Sequence, residues 1–144
     1  MADLATSYLG ARGGLVDAID NAWSPAKIYF APFEAPETYT DDPADYPVVW
    51  VDRVIGPPLN ETPKTDTSVV QFIVTGIFLS DNTDGDDMAS VVNLSAIQAE
   101  LYAATNLGNY GYLGQMGENF LIDFESGERY GMQFIYSCEI SYDR

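Results

Sequence analysis

Four aspartates fall within seven residues of the stretch LSDNTDGDDM, Leu79 to Met88: Asp81, Asp84, Asp86 and Asp87, set around Gly85. Carboxylates at this density suggest a hard cation, because calcium takes 6–8 oxygen ligands. The helix–loop–helix calcium motif fixes glycine at position 6 of a twelve-residue loop. With Gly85 there, Ser80 falls at position 1, Asn82 at 3, Asp84 at 5 and Val91 at 12. The first ligand is then weak and the closing bidentate acid is missing, so the stretch does not make a calcium loop. A turn from a strand into a helix fits better. Asp84 or Asp86 can cap the free N–H groups of the first helical turn. Acids there also meet the positive end of the helix dipole, and Asp81 and Asn82 suit a turn because their side chains bond locally to the backbone.

Other chemistry has little to work with. Histidine is absent and Cys138 is the single cysteine. This removes Ser-His-Asp and Cys-His pairs, and a structural zinc site, which needs four such ligands. Asp123 and Glu125 lie two apart on an alternating run and so share a face, a spacing open to acid–base work but equally that of a wet strand face. Cys138 falls on the apolar side of its run, where a cysteine behaves as a small hydrophobe. The run LGNYGYLGQMG lacks the Lys-Ser/Thr of a phosphate loop. No catalytic set, metal site or cofactor is expected.

Six basic residues stand against 22 acidic ones, for a net charge of −16. The cations Arg12, Lys27, Arg53, Lys64, Arg129 and Arg144 are scattered. Nucleic-acid binding depends on Lys and Arg neutralising phosphates, so a basic groove is not expected. The acidic excess favours solubility and repels polyanions; it is also what a saline environment selects. Hydrophobic residues make up 47% and aromatic residues 13% of 144 residues, enough for one domain with a core of its own. No apolar run reaches the length of a membrane span, and MADLATSYLG does not read as a secretory leader. The chain reads as soluble and made in a cytoplasm.

The elements follow from periodicity. Residues 1–13, with Gly10 and Gly13, read as a flexible or docked arm, since each glycine costs a helix about 1 kcal/mol. Leu15, Ile19 and Trp23 then predict a short amphipathic helix, stopped at Ser24-Pro25. KIYFAPF (Lys27 to Phe33), VVWVDRVI (Val48 to Ile55) and SVVQFIVTGIFLS (Ser68 to Ser80) read as strands. Two long loops separate them, the acidic Glu34 to Pro47 and Gly56 to Thr67. The third strand is apolar on both faces, which predicts a central strand covered on each side; Gly76 in it marks a bulge or a close approach. Val91, Leu94, Ile97, Leu101 and Ala104 predict a second helix, capped near Gly108. GNYGYLGQMGEN reads as a flexible connection, and the alternating runs at Phe120–Phe124 and Met132–Tyr142 as a hairpin. The class is α+β: an antiparallel-rich sheet of about five strands packed with two helices, with long acidic loops, in a single domain over 14–144.

This layout, from LVDAIDNAW and KIYFAPF through PVVWVDRVIG and SVVQFIVTGIFLSD to MASVVNLSAIQAELYAATNLG, FLIDF and MQFIYSCEIS, resembles the tail-terminator (tail-completion) proteins of long-tailed bacteriophages. The likeness covers about Leu15 to Tyr142 and rests on element order and size, and on a central strand that enters an acidic turn before a helix ending in NLG. It implies a structural virion protein that forms a hexameric ring. Such a ring caps the tail tube at its head-proximal end and joins it to head-completion or connector proteins, with DNA met only in passage through the lumen and no membrane involved. The family has no catalytic residues to carry over. Alternatives are another head–tail connector or a tail-tube subunit, and a small binding module or carboxylate enzyme. As the surface offered to partners, the sequence suggests Asp81, Asp84, Asp86 and Asp87 of the acidic turn and the late tyrosines Tyr110 and Tyr112.

Overall fold

The computed structural model describes residues 2–34, 42–60, 62–79, 85–104, 107, 109–124 and 127–144. Two helices, α1 (Leu4–Ala22) and α2 (Gly85–Ala103), accompany the strands β1 (Lys27–Phe30), β2 (Val48–Ile55), β3 (Leu59–Asn60), β4 (Thr65–Leu79), β5 (Asn109–Phe124) and β6 (Gly127–Asp143). The class is α+β, as the periodicity predicts. The sheet has six strands in the order β1-β2-β4-β6-β5, with β3 paired to the start of β4. The β1–β2 edge pair is parallel; the pairs β2–β4, β3–β4, β4–β6 and β5–β6 are antiparallel.

Three sequence expectations need correction. The first concerns residues 1–13. These are not an arm: α1 begins at Leu4 and runs through Gly10, Gly13 and Gly14. Tertiary docking outweighs the glycine cost. Tyr8 stacks on Phe72 at 6.1 Å between centroids, Ala11 is buried, and the Ser7 hydroxyl donates to the Ser141 carbonyl at 3.1 Å. Asp3 caps the helix, accepting from the Thr6 N–H at 2.9 Å. That bond holds the Asp3 carboxyl below its ordinary pKa.

The second concerns GNYGYLGQMGEN, which is strand and not connection. β6 is 17 residues long and offers a ladder that β5 follows, with register shifts between Asn109 and Glu118. Glycine is needed in this stretch. A Cβ on Gly111 would collide with the hydroxyl of Tyr136, whose ring lies across the β5 backbone. The third concerns Val91, which is 50% exposed, whereas Ser90 beside it is buried at 2%. At about 100° per residue, Val91 lies about 120° around the helix from Ile97, and Ser90 only about 20°. Gly108, the expected cap, lies outside the described residues.

The core lies between the helices and one face of the sheet. Leu15 and Ile19 of α1 and Ile97 and Leu101 of α2 meet Val49, Val51, Val70, Phe72, Val74, Met132, Phe134 and Cys138. Trp23 closes the end of α1, its N–H returning to the Ile19 carbonyl at 2.8 Å. Its indole crosses Phe78 and Phe134 edge-on at 5.3 and 5.9 Å and donates to the Asn93 carbonyl of α2 at 3.0 Å. Gly76 permits this: a side chain there would come within 3.0 Å of Phe78 and 3.1 Å of Trp23. The glycine thus marks a close approach.

β4 is central, but its two faces differ. Paired residues of an antiparallel ladder share a face. Trp50, Asp52, Val54, Val69, Gln71, Ile73, Thr75, Gln133, Ile135 and Glu139 therefore lie on the side away from the helices. That outer face is covered in part: Tyr46, Val48 and Ile77 form a second small cluster at one end, and Thr67 and Ser137 are buried elsewhere on it. Val54 is 55% and Val69 40% exposed, so the expectation of cover on both sides is met only in part.

Candidate functional site

Of the six residues taken from the sequence as a partner surface, the structure describes the backbone of four. Asp81 and Asp84 lie outside the described residues, as does the loop between Leu79 and Gly85 that carries them. Asp86 and Asp87 have their backbone inside the first turn of α2, which starts at Gly85. Asp86 is therefore not the cap, because it is already a helical residue. Tyr110 and Tyr112 have their backbone near the start of β5. The side chains of these four also lie outside the described part. Leu79, the last residue of β4, pairs with Arg129, while Tyr112 pairs with Ser137, which faces Gln71 on β4. Eight residues of strand separate Gln71 from Leu79, about 26 Å at 3.3 Å per residue. The start of β5 thus lies level with the middle of β4, away from the end of β4 that precedes α2.

One of the scattered cations is deep in the structure. Arg129 is 1% exposed. Its Nε donates to the Tyr46 hydroxyl at 2.9 Å, and its guanidinium lies 5.1 Å from the centre of the Tyr46 ring. Tyr46 reaches it from the end of the acidic loop, just after the 3₁₀ turn Pro43–Asp45. The loop is held from the other side by the Lys27 N–H, which donates to the Pro47 carbonyl at 2.9 Å, and by the Lys27–Asp45 ion pair at 3.7 Å. The available signal was strand alternation. Arg129 is one residue out of phase with Tyr130 and Met132, so it points to the outer face, where Tyr46 meets it.

A second arginine ties the chain's last strand to a turn. Arg144 donates from Nε and Nη2 to the two carboxylate oxygens of Asp66, each at 2.9 Å. It also donates to the Thr62 and Pro63 carbonyls at 3.1 and 3.2 Å. Its pKa is raised, chiefly by the hydrogen bond to Asp66. This is bidentate recognition in the service of structure.

Two depressions flank α1. A shallow groove of about 650 Å³ runs between α1 and β1, lined by Leu9, Arg12, Val16, Asp17, Ile28 and Phe30, among others. Arg12 lies flat on Phe30 there, 3.6 Å from the ring centre. On the other flank, a cleft of about 340 Å³ against α2 holds Asn21 and Glu100, whose side chains meet at 3.4 Å. Both are open to solvent. The described residues include no group of three or more His, Cys, Asp or Glu arranged to hold a metal ion. Cys138 is buried at 1% exposure, and burial pushes its thiol pKa up to about 11; a neutral thiol of this kind is a poor nucleophile. Burial likewise raises the pKa of Tyr136, with smaller contributions from Cys138 and Tyr102. No helix is long and apolar enough to cross a membrane, among the described residues.

No family model and no curated protein sequence matches this chain.

Proposed function

We propose that this chain is a structural virion protein of a long-tailed bacteriophage: a tail terminator whose copies form a ring on the tail tube and join it to the head-completion proteins. The observation that carries this reading is the open outer face of the sheet. Ile73 and Ile135 pair directly across β4 and β6 and are only half-buried, with Trp50 diagonal to them on β2. Val54 and Val69 stand exposed at the margin. These apolar side chains stand among Asp52, Gln71, Thr75, Gln133 and Glu139 on the same face, the mixture of apolar and polar groups found at contacts between separable proteins. Such a sheet face is suited to another protein and not to a small molecule, which needs a concave pocket.

In this reading, copies meet through complementary patches that close into a ring. Acids facing the lumen keep passing DNA from sticking, because like charges repel. The site of action is the head-proximal end of the tail.

The test is tube growth. Tail-tube subunits polymerising in vitro should stop elongating when this protein is added, with the protein at one end of each tube. Tubes that lengthen at the same rate with and without it would defeat the proposal.

A further inference from the structure

We propose that the outer face of α2 is a docking surface for a second copy of this chain, packed helix against helix. α2 is apolar on two opposite sides. Ser90, Ile97 and Leu101 are buried against the core at 2% exposure or less. On the opposite side Met88, Val92 and Tyr102 are 62%, 60% and 64% exposed, with Val91 at 50% on the margin. Ser95 and Ala99 complete that side, also exposed. Between these two sides run the polar residues Asn93, Gln98 and Glu100, so the exposed apolar residues form a separate stripe of their own.

The spacing says what kind of cover. Met88, Val92, Ser95, Ala99 and Tyr102 recur at alternating steps of four and three. That 3.5-residue repeat is the seam by which one helix receives another, and the small residues Ser95 and Ala99 at its middle let two backbones approach.

Charge says whose helix. The chain carries −16, so two copies repel wherever acids face each other. From Met88 to Ala99 there is no charged residue. Glu100, the next acid, turns toward α1 and Asn21. A basic partner finds nothing to pair with between Met88 and Ala99, whereas a second acidic copy meets no acid along this uncharged stretch and brings the same stripe to match. The contact is isologous, which sets it apart from the head-to-tail contacts that close a ring. It joins two free copies or two rings, and so goes beyond the terminator reading.

Its size sets its strength. A 19-residue helix is about 28 Å long and about 10 Å wide, giving on the order of 300 Å² per copy. Stable interfaces use about 800 Å² per partner. The paired form is therefore a weak, concentration-dependent dimer.

Cysteine cross-linking tests this. Ser95→Cys places a thiol at the centre of the stripe, and the native Cys138, 1% exposed, does not compete. Under mild oxidation the variant should give a disulfide-linked dimer. Asp20→Cys, exposed on α1, should not, and adding Val92→Glu to Ser95→Cys should abolish the link while leaving the far-UV spectrum unchanged. Linking of Ser95→Cys no faster than of Asp20→Cys overturns the proposal. Six-copy rings without the Ser95→Cys link would defeat this proposal and keep the terminator reading; a linked dimer that neither forms rings nor stops tubes would do the reverse.

Discussion

Replacing Tyr46 by phenylalanine isolates one atom of the outer-face cluster. The ring stays, with its packing on Val48 and Ile77 and its place 5.1 Å from the Arg129 guanidinium. Only the hydroxyl that accepts from Nε at 2.9 Å is lost. Arg129 is 1% exposed, so water does not replace the acceptor without local opening. A hydrogen bond to a charged group contributes about 1.5–3 kcal/mol. The control is Tyr142→Phe, which removes an equally buried but neutral bond, Tyr142 to Ser68 at 2.7 Å; such a bond contributes about 0.5–1.5 kcal/mol. Urea slopes for chains of this size run at about 1–3 kcal/mol per molar. Tyr46→Phe should therefore lower the unfolding midpoint by about 1 M and Tyr142→Phe by about half of that, with slopes unchanged. Amide exchange at Lys27, whose N–H is bonded to Pro47, should quicken in Tyr46→Phe alone. A Tyr46→Phe midpoint equal to that of the parent, or a larger drop in Tyr142→Phe, would refute the claim that the buried cation anchors the acidic loop.

Gly10 and Gly13 have open space where a Cβ would stand and lie within α1, so Gly10→Ala and Gly13→Ala should each stabilise by about 0.4–1 kcal/mol, read as a higher melting temperature; a loss of stability would argue against a continuous helix from Leu4. Ile97→Ala should cost about 2–5 kcal/mol in dilute protein, whereas Val91→Ser should change stability by less than about 0.5 kcal/mol, and equal losses would contradict the phase of α2. Cys138 should resist a thiol reagent at pH 8.5 until the protein is unfolded in guanidinium, where it should react at once. Its folded pKa of about 11 lies above the ordinary 9.0, so the unfolded chain releases the thiol proton first. This contribution to stability is complete below pH 9 and falls away as pH climbs toward 11, a trend that equilibrium unfolding at stepped pH would reveal or contradict.

Legibility in the sequence followed the strength of the periodic signal. β2, β4, β6 and the body of α2 stood out because their apolar residues repeat at two or at three and four over long stretches. The N-terminal half of α1 did not, since two glycines hide a helix whose support comes from Phe72 and Ser141, far away in the chain. β5 was hidden for a similar reason. Its glycines read as a flexible stretch until Tyr136 is seen lying over Gly111. The phase error at Val91 came from accepting a three-residue step where the true face steps by four, from Ser90 to Leu94. The site was harder still. Density of aspartates drew attention to the turn after β4, but a row of like residues in sequence says nothing about what faces it. The groups that organise the outer face are Arg129 and Tyr46, 83 residues apart, and no local pattern joins them. The exposed apolar residues of the outer face are equally hard to read as a group, because they come from β2, β4 and β6 together.

The role proposed for this protein is to hold subunits together. The most direct measurement is the mass and symmetry of its assembly, by native mass spectrometry and negative-stain imaging, alone and with short tail tubes. The account predicts closed rings of six copies seated on tube ends, with contacts that acidic substitutions at Val54 and Val69 weaken. A single copy that stays monomeric at all concentrations, ignores the tubes and binds a small molecule saturably would contradict it.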